Sequence, residues 1–100
     1  MKNSKNKPLK EIFAEAFANY KKRDLRTAEN FCYKILNIEP NHFDSIFLLA
    51  TIYAVNNNFD KAKQLLHKAI EIQPNNVHTL NNLGTAYKEL EDNKEAINYY

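Results

Sequence analysis

Apolar residues recur along this chain at steps of three and four, in short blocks separated by polar breaks, which is the spacing of one face of a helix. Leu9, Ile12, Phe13, Ala16, Phe17 and Tyr20 form the first such face. Pro8 can occupy a first helical turn, where its missing N–H is not needed, so the pattern predicts a helix from about Pro8. Lys21, Lys22, Arg23 and Asp24 interrupt it. A second face, Leu25, Ala28, Phe31, Cys32, Ile35 and Leu36, predicts a helix that stops before Pro40.

The plan is then repeated. Ile46, Leu49, Ala50 and Tyr53 line a third predicted helix, Asn56, Asn57 and Asn58 a turn, and Phe59, Ala62, Leu65, Leu66, Ala69 and Ile70 a fourth helix, closed by Pro74. Asn tolerates the left-handed conformation of a helix exit better than most residues other than Gly. Val77, Leu80, Leu83, Gly84 and Tyr87 open a fifth helix; Glu91 and Asp92 predict another turn, and a last helix from Asn93 or Lys94. Gly84 inside a helix costs about 1 kcal/mol relative to Ala, which predicts close approach of a neighbouring helix. Ile38-Glu39-Pro40 and Ile72-Gln73-Pro74 lie 34 residues apart, as do Ala28, Ala62 and Ala96. A fixed period of that length marks a stacked helical array, whose function resides in a surface.

Composition agrees and narrows the chemistry. The 100 residues include one Gly and three Pro, and a formal net charge of +2 recommends no particular partner. Residues 1–34 carry nine Lys or Arg against four acids, and residues 35–100 five against eight. The basic end, including a polar lead over 1–7 expected to be flexible, is read as a solvated tail and helix face, because neither an Arg cluster nor aromatic-basic interleaving accompanies it. Nucleic acid is therefore disfavoured as a partner. Cys32 is the only cysteine, which excludes an intrachain disulfide. No apolar run reaches the length of a signal peptide core or a membrane span, and a cytoplasmic protein is expected.

These columns resemble the tetratricopeptide repeat family, whose 34-residue unit carries a bulky residue, Leu, Gly or Ala, and Tyr on its first helix. The match runs through Ile46, Leu49, Ala50, Tyr53, Ala62, Leu66, Ala69 and Pro74, and again through Leu80, Leu83, Gly84, Tyr87, Ala96 and Tyr100. The resemblance implies an all-α fold, a right-handed superhelical α-solenoid of antiparallel helix pairs with about two and a half units: 9–42, 43–76 and a truncated 77–100. The first unit departs from the pattern, with Tyr20 one place beyond the column of Tyr53. Either its turn is one residue short or its helix is rotated, which leaves open whether Phe13 and Phe17 face inward or outward.

In this family the first helices line a concave groove for a peptide or helix of another protein. The resemblance carries that groove onto Asp44, Phe47, Leu48, Thr51 and Val55, and onto His78, Asn81, Asn82, Thr85 and Lys88. Lys10, Phe13, Phe17 and Lys21 would form its basic and aromatic beginning. An Asn offers donors and an acceptor to a peptide backbone, and Asn82 is the best candidate for such a contact. Some family members grip a chaperone C-terminal carboxylate with Lys, Asn and Arg. The matching positions, Phe13, Phe17, Leu48, His78 and Asn82, supply no Arg to fork a carboxylate, so that mode is not expected.

Other chemistry finds no foothold in the sequence. His42, His67 and His78 lie in different units without metal-ligand spacing, Gly84 stands outside any Gly-rich phosphate loop, and Cys32 falls on a buried helix face. No catalytic constellation, cofactor or metal site is expected. Two functions follow from the resemblance: a scaffold for protein–protein interaction, or the acceptor-docking N-terminal repeats of a bacterial glycosyl-, sulfo- or methyltransferase. The last helix would stop at Tyr100 about halfway, so further repeats or a catalytic domain are expected to follow.

Overall fold

The computed structural model describes residues 7–98, with side chains described as far as Lys94. Residues 1–6 of the flexible lead expected over 1–7, the side chain of Ala96 and the closing Tyr100 lie outside the described residues. Five helices make up the rest: α1 (Leu9–Lys21), α2 (Leu25–Ile38), α3 (Phe43–Val55), α4 (Phe59–Ile72) and α5 (Val77–Asn98). Short connections between them favour antiparallel neighbours. The bounds of α1 and α2 become those of α3 and α4 when 34 is added. The chain is an all-α helical repeat.

Caps fix the helix starts. Asp24 and Asn58, one period apart, accept from the backbone N–H of Thr27 and Lys61. His42 Nδ1 accepts from Ser45 N and meets the Ser45 hydroxyl, and Asn76 Oδ1 accepts from both Thr79 N and Thr79 Oγ1. Ser45 and Thr79 are fully buried, and these caps satisfy their polar groups. The exits of α1 and α3 each need one left-handed residue, Arg23 (φ 71°) and Asn57 (φ 63°).

Those two residues are also 34 apart, which decides the register of the first unit: its turn is not shortened and α1 is not rotated. Asn19 stands in the column of Tyr53 and donates to the Glu15 carbonyl, while Tyr20 takes the column of Ala54. Phe13 and Phe17 therefore share columns with Phe47 and Thr51 and lie on one wall with them.

Helix α3 is central and apolar nearly all round. Its Leu48, Leu49 and Ile52 pack with Ala16, Ala28 and Cys32, and its Ala50 with Leu66 and Ala86 on the other side. Between successive units, hydroxyls close the stack. Tyr33 and Tyr53 share a hydrogen bond, and Tyr53 donates to Glu29 at 3.1 Å. One period on, His67 Nε2 and Tyr87 Oη are 2.8 Å apart. Lysines lie over both tyrosine rings, Lys61 on Tyr53 and Lys63 on Tyr87.

Two expectations are corrected. The turn expected at Glu91 and Asp92 does not form, and α5 runs unbroken through the start expected for another helix at Asn93 or Lys94. The column that holds Arg23 and Asn57 in left-handed conformation holds Glu91 there, and the flanking Lys, Glu and Leu are strong helix formers. Lys88 pairs with Asp92 one turn on, at 3.5 Å, across the place where the turn was expected. Gly84, for its part, is exposed, and a Cβ built there would meet nothing within 4 Å. No described helix approaches it.

Candidate functional site

Helices α1, α3 and α5 place their non-core columns on one side of the stack, where two cavities adjoin. The first, of about 380 Å³, lies between α1 and α3 and is lined by Phe13, Phe17, Tyr20, Asp44, Phe47, Leu48 and Thr51. Phe13 and Phe17 stack with centroids 6.3 Å apart, and Phe17 and Tyr20 at 6.2 Å. His42 closes on Phe13 at 5.9 Å, and the Lys21 ammonium sits 5.1 Å from the Phe17 centroid. Such a wall offers a large apolar area with ring faces that attract cations.

The second cavity, of about 290 Å³, lies between α3, α4 and α5. Thr51, Val55, Phe59, Asn82 and Thr85 stand around it, over a floor of Ala50, Ala62, Leu66 and Ala86. Thr51 lines both cavities. Its hydroxyl donates to the Phe47 carbonyl at 2.9 Å, so its polar group is satisfied within α3.

The residues expected in the groove are thus divided. Asp44, Phe47, Leu48 and Thr51 come together in the first cavity, and Thr51, Val55, Asn82 and Thr85 in the second. His78, Asn81 and Lys88 are exposed on α5 and line neither of these cavities, and Lys88 is engaged with Asp92. Leu48 is only 5% exposed and belongs to the core as much as to the cavity wall. Tyr20, Ala54 and Phe59 were not expected in the walls. Tyr20 and Ala54 share one column, so subtracting the period from Ala54 would have found Tyr20.

A third hollow, of about 240 Å³, is framed by Tyr33, Tyr53, Lys61, Gln64 and Leu65. Burial, then the bond to Tyr33, pushes the Tyr53 phenol above its usual range, so it stays protonated at neutral pH. Burial likewise pushes the Cys32 thiol up to about 12, with Glu29 adding to it, as for a packed thiol and not a nucleophile. Among the described residues, no group of three or more His, Cys, Asp or Glu is arranged to hold a metal. No described helix is long and apolar enough to cross a membrane.

Comparison with known proteins places this geometry. Residues 21–100 match the family described as anaphase-promoting complex, cyclosome, subunit 3. A curated relative, the UDP-N-acetylglucosamine–peptide N-acetylglucosaminyltransferase of Caenorhabditis elegans, is 26% identical over 87 residues, which are 87% of this chain and 8% of the relative. The chain thus spans a small part of that relative's length. Among solved structures, the MamA protein superposes with a TM-score of 0.79 at 21% identity, covering 91% of this chain and 50% of MamA. The first tetratricopeptide domain of Spaghetti (RPAP3), bound to an HSP90 peptide SRMEEVD, superposes at 0.80 with 17% identity, covering 84% of this chain and 67% of that one. With the family match running from the end of α1 through α5, the chain belongs to the tetratricopeptide-like repeats of the anaphase-promoting complex subunit 3 family.

Proposed function

We propose that this chain is an interaction scaffold that holds a peptide or helix of another protein along α1, α3 and α5. One observation carries it: two apolar cavities share Thr51 as a wall, one bordered by Asn82 and the other by Phe13 and Phe17. Apolar hollows with a few convergent polar groups are the usual form of a binding site. A similarly folded relative holding a peptide agrees with this reading. The His78, Asn81 and Lys88 side chains would serve as its rim. The chain is read as cytoplasmic and as having no catalysis of its own.

Selection from a random-sequence peptide library tests the proposal. Peptides that bind the wild-type chain should lose at least about tenfold in affinity with Thr51→Lys, which fills the seam, and less with Asn82→Ala. Phe17→Ala, at a half-exposed position, separates the first cavity from the second. Failure to enrich any peptide, or binding indifferent to Thr51→Lys, would rule this site out.

The similarity to a peptide glycosyltransferase favours a second reading, in which these repeats dock the acceptor protein of a transferase. The coding sequence beyond Tyr100 tests it. A nucleotide-sugar-binding domain there supports this reading, and a run of further repeats closed by a polar helix refutes it.

A further inference from the structure

The cavity between α1 and α3 combines aromatic faces with a single charge. Phe13, Phe17, Tyr20 and Phe47 line it, and the one charged side chain in the lining is the carboxylate of Asp44. On α1 the rings follow one another nearly in parallel, Phe13 to Phe17 at 13° and Phe17 to Tyr20 at 20°, and α3 adds the ring of Phe47. A ring face carries the negative part of the aromatic quadrupole and attracts a cation. This wall already holds one at its rim, where the Lys21 ammonium lies 5.1 Å from the Phe17 centroid. Asp44 is exposed in the first turn of α3, and no described cation pairs with it, the ion pairs among the described residues being Lys7–Glu15 and Lys88–Asp92.

We propose that this cavity holds the ammonium group of an N-methylated lysine in the partner protein, an assignment that rests on the peptide-binding reading above and names its partner's chemistry. The ring faces surround the methyl groups, and Asp44 lies beside the charge. The count of donors selects this cation. A bare lysine ammonium carries three N–H donors and an arginine guanidinium five, and each donor taken out of water needs an acceptor. The acceptors in the lining are the Asp44 carboxylate and the hydroxyls of Tyr20 and Thr51, in a wall otherwise made of rings and Leu48. Methylation keeps the charge, removes donors and adds apolar surface for the rings to cover. Lys10, one period before Asp44, and Lys21 are both exposed, so salt screens their repulsion of the bound cation.

Nuclear magnetic resonance titration of the full chain with N-acetyl-trimethyllysine methylamide, its unmethylated lysine counterpart and choline tests this. The trimethyllysine derivative should shift the ring signals of Phe13, Phe17, Tyr20 and Phe47, and bind at least about fivefold more tightly than the lysine derivative. Phe17→Leu keeps an apolar side chain at a half-exposed position, so it should leave helical circular dichroism unchanged and weaken binding by a similar factor. Asp44→Asn should weaken it more at low salt than at high salt. Equal binding of the lysine derivative, absence of shifts at these rings, or indifference to Phe17→Leu would overturn the assignment. Choline binding more tightly than the trimethyllysine derivative would overturn a lysine of a partner as the source of the cation. Library peptides that bind a chain unresponsive to trimethyllysine would refute the cation site alone. A ring response without any enriched peptide would support the cation site and refute only the wider peptide reading.

Discussion

Gly84 illustrates how one residue takes its meaning from the column it occupies. In the preceding unit that column holds Ala50, packed against Leu66 and Ala86, whereas the face of Gly84 is open. With no steric reason for glycine, its backbone freedom is simply a cost to α5. Gly84→Ala should therefore stabilise the chain by about 0.8–1 kcal/mol, seen as a higher urea midpoint with unchanged slope. A loss of stability would show that another helix does pack there. The sequence made Gly84 look like a contact because its place in the period was legible while the state of its neighbour was not. Tyr20 left the register of the first unit open for a related reason: it is an aromatic one place beyond an aromatic column, and the left-handed residue at Arg23, one period before Asn57, is what assigns that column to Asn19.

At the scale of elements, the turns decide which helices exist. Bounds of α1 to α4 were legible because their ends carry local chemistry: polar caps at the starts of α2, α3 and α4, prolines beyond the exits of α2 and α4, and breaks in periodicity between. The fifth helix was misjudged where those signals conflict. Asp92 stands in the cap column of Asp24 and Asn58, but Glu91 is poorly suited to the left-handed place before it. Arg23 accepts that conformation in the first unit, where α2 has the buried Ala28, Cys32 and Ile35 to repay it. Arg23→Gly should relieve the strain and gain about 0.5–1 kcal/mol after glycine's larger backbone entropy is counted. The corresponding change at Asn57 should gain less, and thermal melts of both variants would show the order.

As a whole the molecule measures 61 × 29 × 19 Å, thin enough that its core is a single line of side chains along α1 to α5. Its fold was legible because a 34-residue period repeats the same buried columns. The binding surface was legible only where it follows them, since cavity walls such as Phe59 come from second helices that the groove columns do not include. Stability should vary with pH through that core line. Burial raises the Cys32 thiol from 9.0 to about 12, and Tyr53 is also raised, so the unfolded chain loses these protons first. The stabilisation is complete below pH 9 and should fade as the pH rises from 9 towards 12. A melting temperature that stays level across that range would contradict it, and Cys32 should react with a thiol reagent only on unfolding. The equivalence of His42 and Asn76 as caps, and of Tyr33 with His67 and Tyr53 with Tyr87 as a hydrogen-bonded pair, has a genetic consequence. A tandem copy of the segment coding for 43–76 would enter with a cap for its first helix and a tyrosine aligned to His67. Such a gene could lengthen by unequal recombination, and each new copy would arrive with its joints already made.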